Sequence, residues 1–117
     1  MSHDFNRLEL AILEWLRLTY PNSELSLQAT SARFVKRNWT GVGFFVYLEV
    51  SKELKPIDFK DFSGYWPIDG PHLKSDDIDK NGGATLIWGE GGYMDCIEMY
   101  AHSGVFNEQV NNFELTS

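Results

Sequence analysis

From Thr40 to Val50 the chain reads Thr-Gly-Val-Gly-Phe-Phe-Val-Tyr-Leu-Glu-Val, and its period-two pattern constrains the fold more than any other stretch. Phe44, Val46, Leu48 and Val50 point one way, while Phe45, Tyr47 and Glu49 point the other. A strand with large apolar groups on one face and amphipathic ones on its reverse belongs inside a sheet, with the first face against a helix layer and the second half-covered.

The segment from Asp4 to Tyr20 supplies that helix. Ser2 or Asp4 can cap it, Pro21-Asn22-Ser23 stops it, and no glycine or proline interrupts it. Phe5, Leu8, Ile12, Leu13, Trp15, Leu16 and Tyr20 form a broad apolar arc opposite Asn6, Arg7, Glu14 and Arg17. Glu9 falls within the arc and is expected at the rim of the core, where the helix N-terminus favours an anion.

Leu25 to Arg37 reads as one strand or as a short helix followed by a strand, with Ala32 and Phe34 on one face and Arg33, Val35 and Arg37 on the other. Arg33 and Arg37 then sit within reach of Glu49 across a hairpin of Ser31–Trp39 with Gly43–Ser51, turned by Asn38-Trp39-Thr40-Gly41. Lys52 to Asp69 is irregular but rich in aromatics, which predicts a loop folded onto the body. A short strand at His72–Asp77, a second hairpin of Ala84–Trp88 with Tyr93–Tyr100 around Gly89-Glu90-Gly91-Gly92, and a last edge strand within Val110–Leu115 complete the reading. The expected fold is α+β: a single domain over all 117 residues, with an N-terminal amphipathic helix packed on an antiparallel sheet of about five strands.

Charge narrows the function classes. Seventeen acidic against ten basic side chains give a net charge of −7, a poor match to nucleic acid. No lysine or arginine follows Lys80, whereas Glu90, Asp95, Glu98, Glu108 and Glu114 do. Such a run either keeps the chain soluble or attracts a basic protein. Cys96 is the only cysteine, so no disulfide forms within the chain, and no leader or apolar span is visible. Those features predict a cytoplasmic protein outside the membrane.

No motif carries a specific chemistry. Gly41-Val42-Gly43 and Gly89-Glu90-Gly91-Gly92 enter strands and lack the following helix that a phosphate loop needs. Asp77, Asp79, Asn81 and Gly82 fit the opening of a calcium loop, but Trp88 stands where the closing glutamate belongs, so a solvated turn is expected. His3, His72 and His102 are widely spaced; His72, His102 and Asp95 could converge in space, as could Cys96 with either histidine for nucleophilic catalysis, but nothing in the spacing argues for it, and neither metal nor cofactor is expected. Cys96 shares a strand face with Met94, Glu98 and Tyr100, which describes a small buried hydrophobe better than a nucleophile. Glu98 either emerges at the strand end or is half-buried with Arg33 or Arg37. The many aromatics, among them Trp39, Phe45, Tyr47, Phe59, Phe62, Tyr65, Trp66 and Tyr93, are either covered by the Lys52–Asp69 loop or displayed for a partner.

Thr40-Gly41-Val42-Gly43-Phe44-Phe45, with Gly83-Ala84-Thr85-Leu86-Ile87 and Gly92-Tyr93-Met94-Asp95-Cys96-Ile97-Glu98, resembles a pattern of small bacterial α+β proteins, some of them similar to immunity proteins of polymorphic toxin systems. Ile97 replaces the leucine usual before that glutamate. The resemblance covers about the last two thirds of the chain and implies a shared fold, with no catalytic residues to carry over. The functional expectation is therefore a non-enzymatic acidic protein-binding module, of the immunity type, for a basic toxin. Glu90, Tyr93, Asp95, Glu98, Tyr100, Phe106 and Glu108 are its candidate binding residues. The alternative is a small-ligand protein or minor hydrolase with a pocket of Phe45, Tyr47, Tyr65 and Trp66 between the loop and the sheet.

Overall fold

The computed structural model describes residues 4–62 and 64–117. Two helices, α1 (Arg7–Thr19) and α2 (Glu24–Ser31), precede a six-stranded antiparallel sheet of β1 (Arg33–Trp39), β2 (Gly43–Glu49), β3 (Ile68–Lys74), β4 (Gly83–Glu90), β5 (Tyr93–Ala101) and β6 (Glu114–Thr116). The strand order is β1-β2-β5-β4-β3-β6. The fold is α+β, with one strand more than the sequence pattern suggests. Neither helix is long and apolar enough to cross a membrane.

Helix α1 starts later than expected, because its cap is Asn6; Ser2 lies outside the described residues, and Asp4 precedes the helix. The Asn6 side chain accepts the Glu9 backbone N–H, and the Glu9 carboxylate accepts the Asn6 N–H, each at 2.9 Å, which closes a reciprocal capping box. Leu8, Ile12, Leu13 and Leu16 are buried in the same cluster as Leu25 and Ala29 of α2, Phe44, Val46 and Leu48 of β2, Ile87 of β4 and Ile97 and Met99 of β5. Burying these side chains against the helices is the main driving force for the two-layer arrangement.

Glu9 is not at a rim but fully buried, at 0% exposure. Its Oε2 accepts Arg37 Nε at 2.5 Å and its Oε1 accepts Arg37 Nη2 at 2.6 Å. Strict alternation places Arg37 on the far face beside Arg33, yet a bulge between Phe34 and Lys36 shifts the register, so that Arg37 stands opposite the buried Val46. Arg37 thereby turns to the helix side, lies over the Phe34 ring at 4.8 Å and meets Glu9. Arg33 alone pairs with Glu49, at 2.7 Å and largely in solvent.

Strand β3 begins at Ile68, earlier than His72, because Gly70 and Pro71 do not break it: they fall at a bulge, where the ladder does not require the proline's missing N–H. The last strand is short and pairs with His72–Lys74, while the chain before it is tied down elsewhere. The Asn111 N–H donates to Asp77 Oδ2 at 2.8 Å, and the Ser75 hydroxyl donates to the Asn112 carbonyl at 2.5 Å.

The segment between β2 and β3 folds onto the helix side. Ile57 is buried and its N–H donates to Gly92 O at 2.8 Å; Phe59 meets Trp66 edge-on at 4.9 Å, and Phe62 meets Tyr20 at 5.0 Å. Trp66 lies against Gly89, where any side chain would collide with the indole. The loop thus covers Phe59, Phe62 and Trp66 but not its own Tyr65, and leaves the aromatics on the other side of the sheet in the open.

Candidate functional site

Register fixes that other side residue by residue. Lys36, Tyr47, Cys96 and Trp88 stand in one row across β1, β2, β5 and β4. Asn38, Phe45, Glu98 and Leu86 form the next row, and Gly43, Tyr100, Ala84 and His72 a third, extending across β2, β5, β4 and β3. Adjacent strands lie about 4.8 Å apart, so neighbours in a row touch. Both helices, the β2–β3 loop and Phe106 of the C-terminal segment pack with the buried cluster on the opposite side. What remains is an open face of Phe45, Tyr47, Leu86 and Tyr100, each half-buried, with Trp88 at 37% exposure.

Polar groups punctuate this face. Trp88 Nε1 donates to Glu98 Oε1 at 2.9 Å, a diagonal link between rows that joins β4 to β5. Neither Arg33 nor Arg37 reaches Glu98. Lys36 lies over the Tyr47 ring at 5.1 Å, and at the far end His102 stands 6.4 Å from His72 and 5.7 Å from Tyr100, centroid to centroid. Asp95 belongs to the opposite end of β5, so His72, His102 and Asp95 do not converge, and no group of three or more potential metal ligands occurs among the described residues. His3 lies outside them.

The expected partner-binding residues divide among four places. Glu90, Tyr93 and Asp95 sit at the β4–β5 hairpin end, where Gly91, at φ +65°, makes the tight turn. The Tyr93 hydroxyl donates to Leu54 O at 2.9 Å and Lys52 O at 3.2 Å, with Lys52 Nζ over its ring at 4.3 Å. Partial burial and the neighbouring Glu90 push the Asp95 carboxyl above its ordinary range, opposed by Lys52. Glu98 and Tyr100 lie on the open face. Phe106, at 1% exposure, is no surface anchor: it is buried edge-on to Phe44 at 5.5 Å, and its carbonyl accepts Trp39 Nε1 at 2.8 Å. Glu108 is exposed beside Arg37 and Trp39, near the start of α1.

The alternative pocket is not assembled. Phe45 and Tyr47 project from the open face, Trp66 packs on the helix side, and Tyr65 is 74% exposed in the loop. The aspartate turn is also more than solvated. Asp79 Oδ2 accepts Ser103 N at 2.7 Å and its Oδ1 accepts Asn81 N at 3.0 Å, so the acids of this turn clamp the 103–111 segment through its backbone amides.

Cys96 is on the open face yet only 7% exposed, lying low between Tyr47 and Trp88. Burial, with Asp95 and Glu98 nearby, pushes its thiol up to about 11. The thiolate is the reactive form, so the native protein at neutral pH should leave Cys96 unmodified by Ellman's reagent, with full reaction after denaturation. Rapid labelling of the folded chain would restore Cys96 as a nucleophile.

Sequence reasoning missed Trp88 and Leu86 as members of the face, although their spacing of two within the second hairpin is the signal that places them together. No protein-family model, curated protein or solved structure matches the chain.

Proposed function

We propose that this chain is a non-enzymatic protein-binding module that receives a basic partner on its open sheet face, in the manner of an immunity-type antagonist set against a basic toxin. The observation that carries the reading is the row structure of Phe45, Tyr47, Leu86, Trp88 and Tyr100, large side chains from three adjacent strands that no other element covers among the described residues. Tryptophan and tyrosine in such a cluster are the residue types that concentrate binding energy at protein interfaces. The net charge of −7 favours a basic partner through steering and long-range attraction. A single, protonated cysteine suits a reducing cytoplasm.

The immobilised protein, exposed to an extract of the cell that makes it, should capture a basic protein, and added salt should weaken the capture. Trp88→Ala combined with Tyr47→Ala should raise the dissociation rate by about tenfold or more, as truncated anchors do. Leu18→Ala, at an exposed position of α1, should leave capture unchanged. If the two face substitutions leave the captured proteins and their dissociation as they were, with the fold intact by thermal unfolding, the open face is not the docking surface.

A further inference from the structure

On the reading that a basic partner docks on the open face, we propose that Glu98 is the seat for an arginine guanidinium of that partner. Glu98 lies at the centre of the face. Its neighbours across the strands are Phe45 and Leu86, its neighbours along β5 on the same face are Cys96 and Tyr100, and Tyr47 and Trp88 stand on the diagonals. None of these is a cation. The described ion pairs engage Arg17, Arg33, Arg37 and Lys60 with other acids.

A half-buried carboxylate ringed by aromatic and aliphatic groups has lost part of its hydration, and the single hydrogen bond from Trp88 Nε1 leaves its second oxygen, Oε2, without a donor among the described residues. The nearest cation of the face, Lys36, is a strand beyond Phe45 and Tyr47 and is engaged with the Tyr47 ring. The site is therefore complementary to a positive group brought from outside. Its aromatic walls select the kind of cation: a guanidinium is planar, stacks on indole and phenol faces, and presents paired N–H groups to a carboxylate, whereas an ammonium is a compact, strongly hydrated charge. Trp88 acts as a positioning residue, since its indole N–H holds Oε1 while its ring forms one wall.

The test uses a capped oligoarginine peptide and a capped oligolysine peptide of equal length, with the Trp88 indole N–H resonance, assigned by its loss in Trp88→Phe, as the readout. Oligoarginine should shift it saturably and bind about tenfold tighter than oligolysine, and Glu98→Gln should weaken oligoarginine by about tenfold or more and remove the preference. Glu53→Gln deletes the same charge in the β2–β3 loop, away from the open face, and should alter binding by no more than about twofold, because an exposed distant charge is screened. Equal binding of the two peptides, or unchanged oligoarginine binding in Glu98→Gln, overturns the guanidinium seat. Glu98→Gln is also carried into the capture experiment. If capture falls with Trp88→Ala and Tyr47→Ala but not with Glu98→Gln, the docking face stands and the seat falls; if neither alters capture, both fall.

Discussion

Replacing Arg37 with methionine is expected to destabilise the fold by about 3–5 kcal/mol, the cost of leaving a buried charge without its partner. Glu9 has no solvent contact, and its oxygens are satisfied by the Asn6 N–H and by Nε and Nη2 of Arg37. Removing the guanidinium deletes the two charge-assisted bonds together and leaves a carboxylate in the core. It also releases the Asp4 carbonyl, which accepts from Nη2 at 2.6 Å, so the chain before α1 loses its tie to β1. The Glu9 hydrogen bonds raise the affinity of the Arg37 guanidinium for its proton, opposed by partial burial, so Arg37 keeps its charge. Arg37→Lys should fall between wild type and Arg37→Met, since an ammonium cannot serve both oxygens in the same fork geometry. The double variant Glu9→Leu with Arg37→Met should recover most of the loss, retaining a deficit of about 0.5–2 kcal/mol for the abandoned cap. Urea unfolding of the four proteins checks the order. A loss under about 1 kcal/mol for Arg37→Met would mean that water reaches Glu9 and the ion pair is a surface one.

The same pair shows where the sequence stops being informative. The alternation from Phe44 to Val50, the amphipathic arc of α1 and the glycine turn between β4 and β5 are local signals, and each leads to the observed element. Arg37 is different: its facing depends on one extra residue in β1, and Arg33–Trp39 carries no glycine to mark a bulge. The burial of Glu9 follows from a partner 28 residues away, which no helical wheel contains. Phe106 sits in a polar stretch without periodicity, and tertiary contacts bury it, among them its bridge to Ile78, its edge against Phe44 and the Trp39 bond to its carbonyl. The open face is legible in part. Alternation assigns Phe45 and Tyr47 to one side and Leu86 and Trp88 to one side, but that the two sets share a face is a consequence of β5 lying between β2 and β4.

Gln28→Leu, a nearly volume-conserving change, is expected to cost about 2–4 kcal/mol, because it takes the partner from a main-chain N–H and a main-chain carbonyl at once. Gln28 is fully buried in α2, where its Nε2 donates to Gly92 O at 2.9 Å and Lys55 O at 3.2 Å while its Oε1 accepts Met94 N at 3.0 Å. One amide therefore ties the second helix to the β2–β3 loop and to the β4–β5 hairpin. Gly92 O keeps the Ile57 N–H, but the Lys55 carbonyl and the Met94 N–H, which the bulge beside Asp95 sets out of the regular register, lose their partner. Leucine fills the space but offers neither donor nor acceptor, so the contacts that hold Ile57 and Trp66 over the core should loosen with it. Gln28→Glu separates shape from hydrogen bonding. At neutral pH its carboxylate accepts from Met94 but faces two carbonyl oxygens without a proton, a repulsive arrangement that should cost at least as much as leucine. Acidification protonates the new carboxyl and supplies one donor, so Gln28→Glu should regain stability relative to Gln28→Leu as the pH falls. Equal stability of Gln28→Leu and wild type in urea unfolding would show that water serves Lys55 O and the Met94 N–H and that the amide is not what fixes the loop.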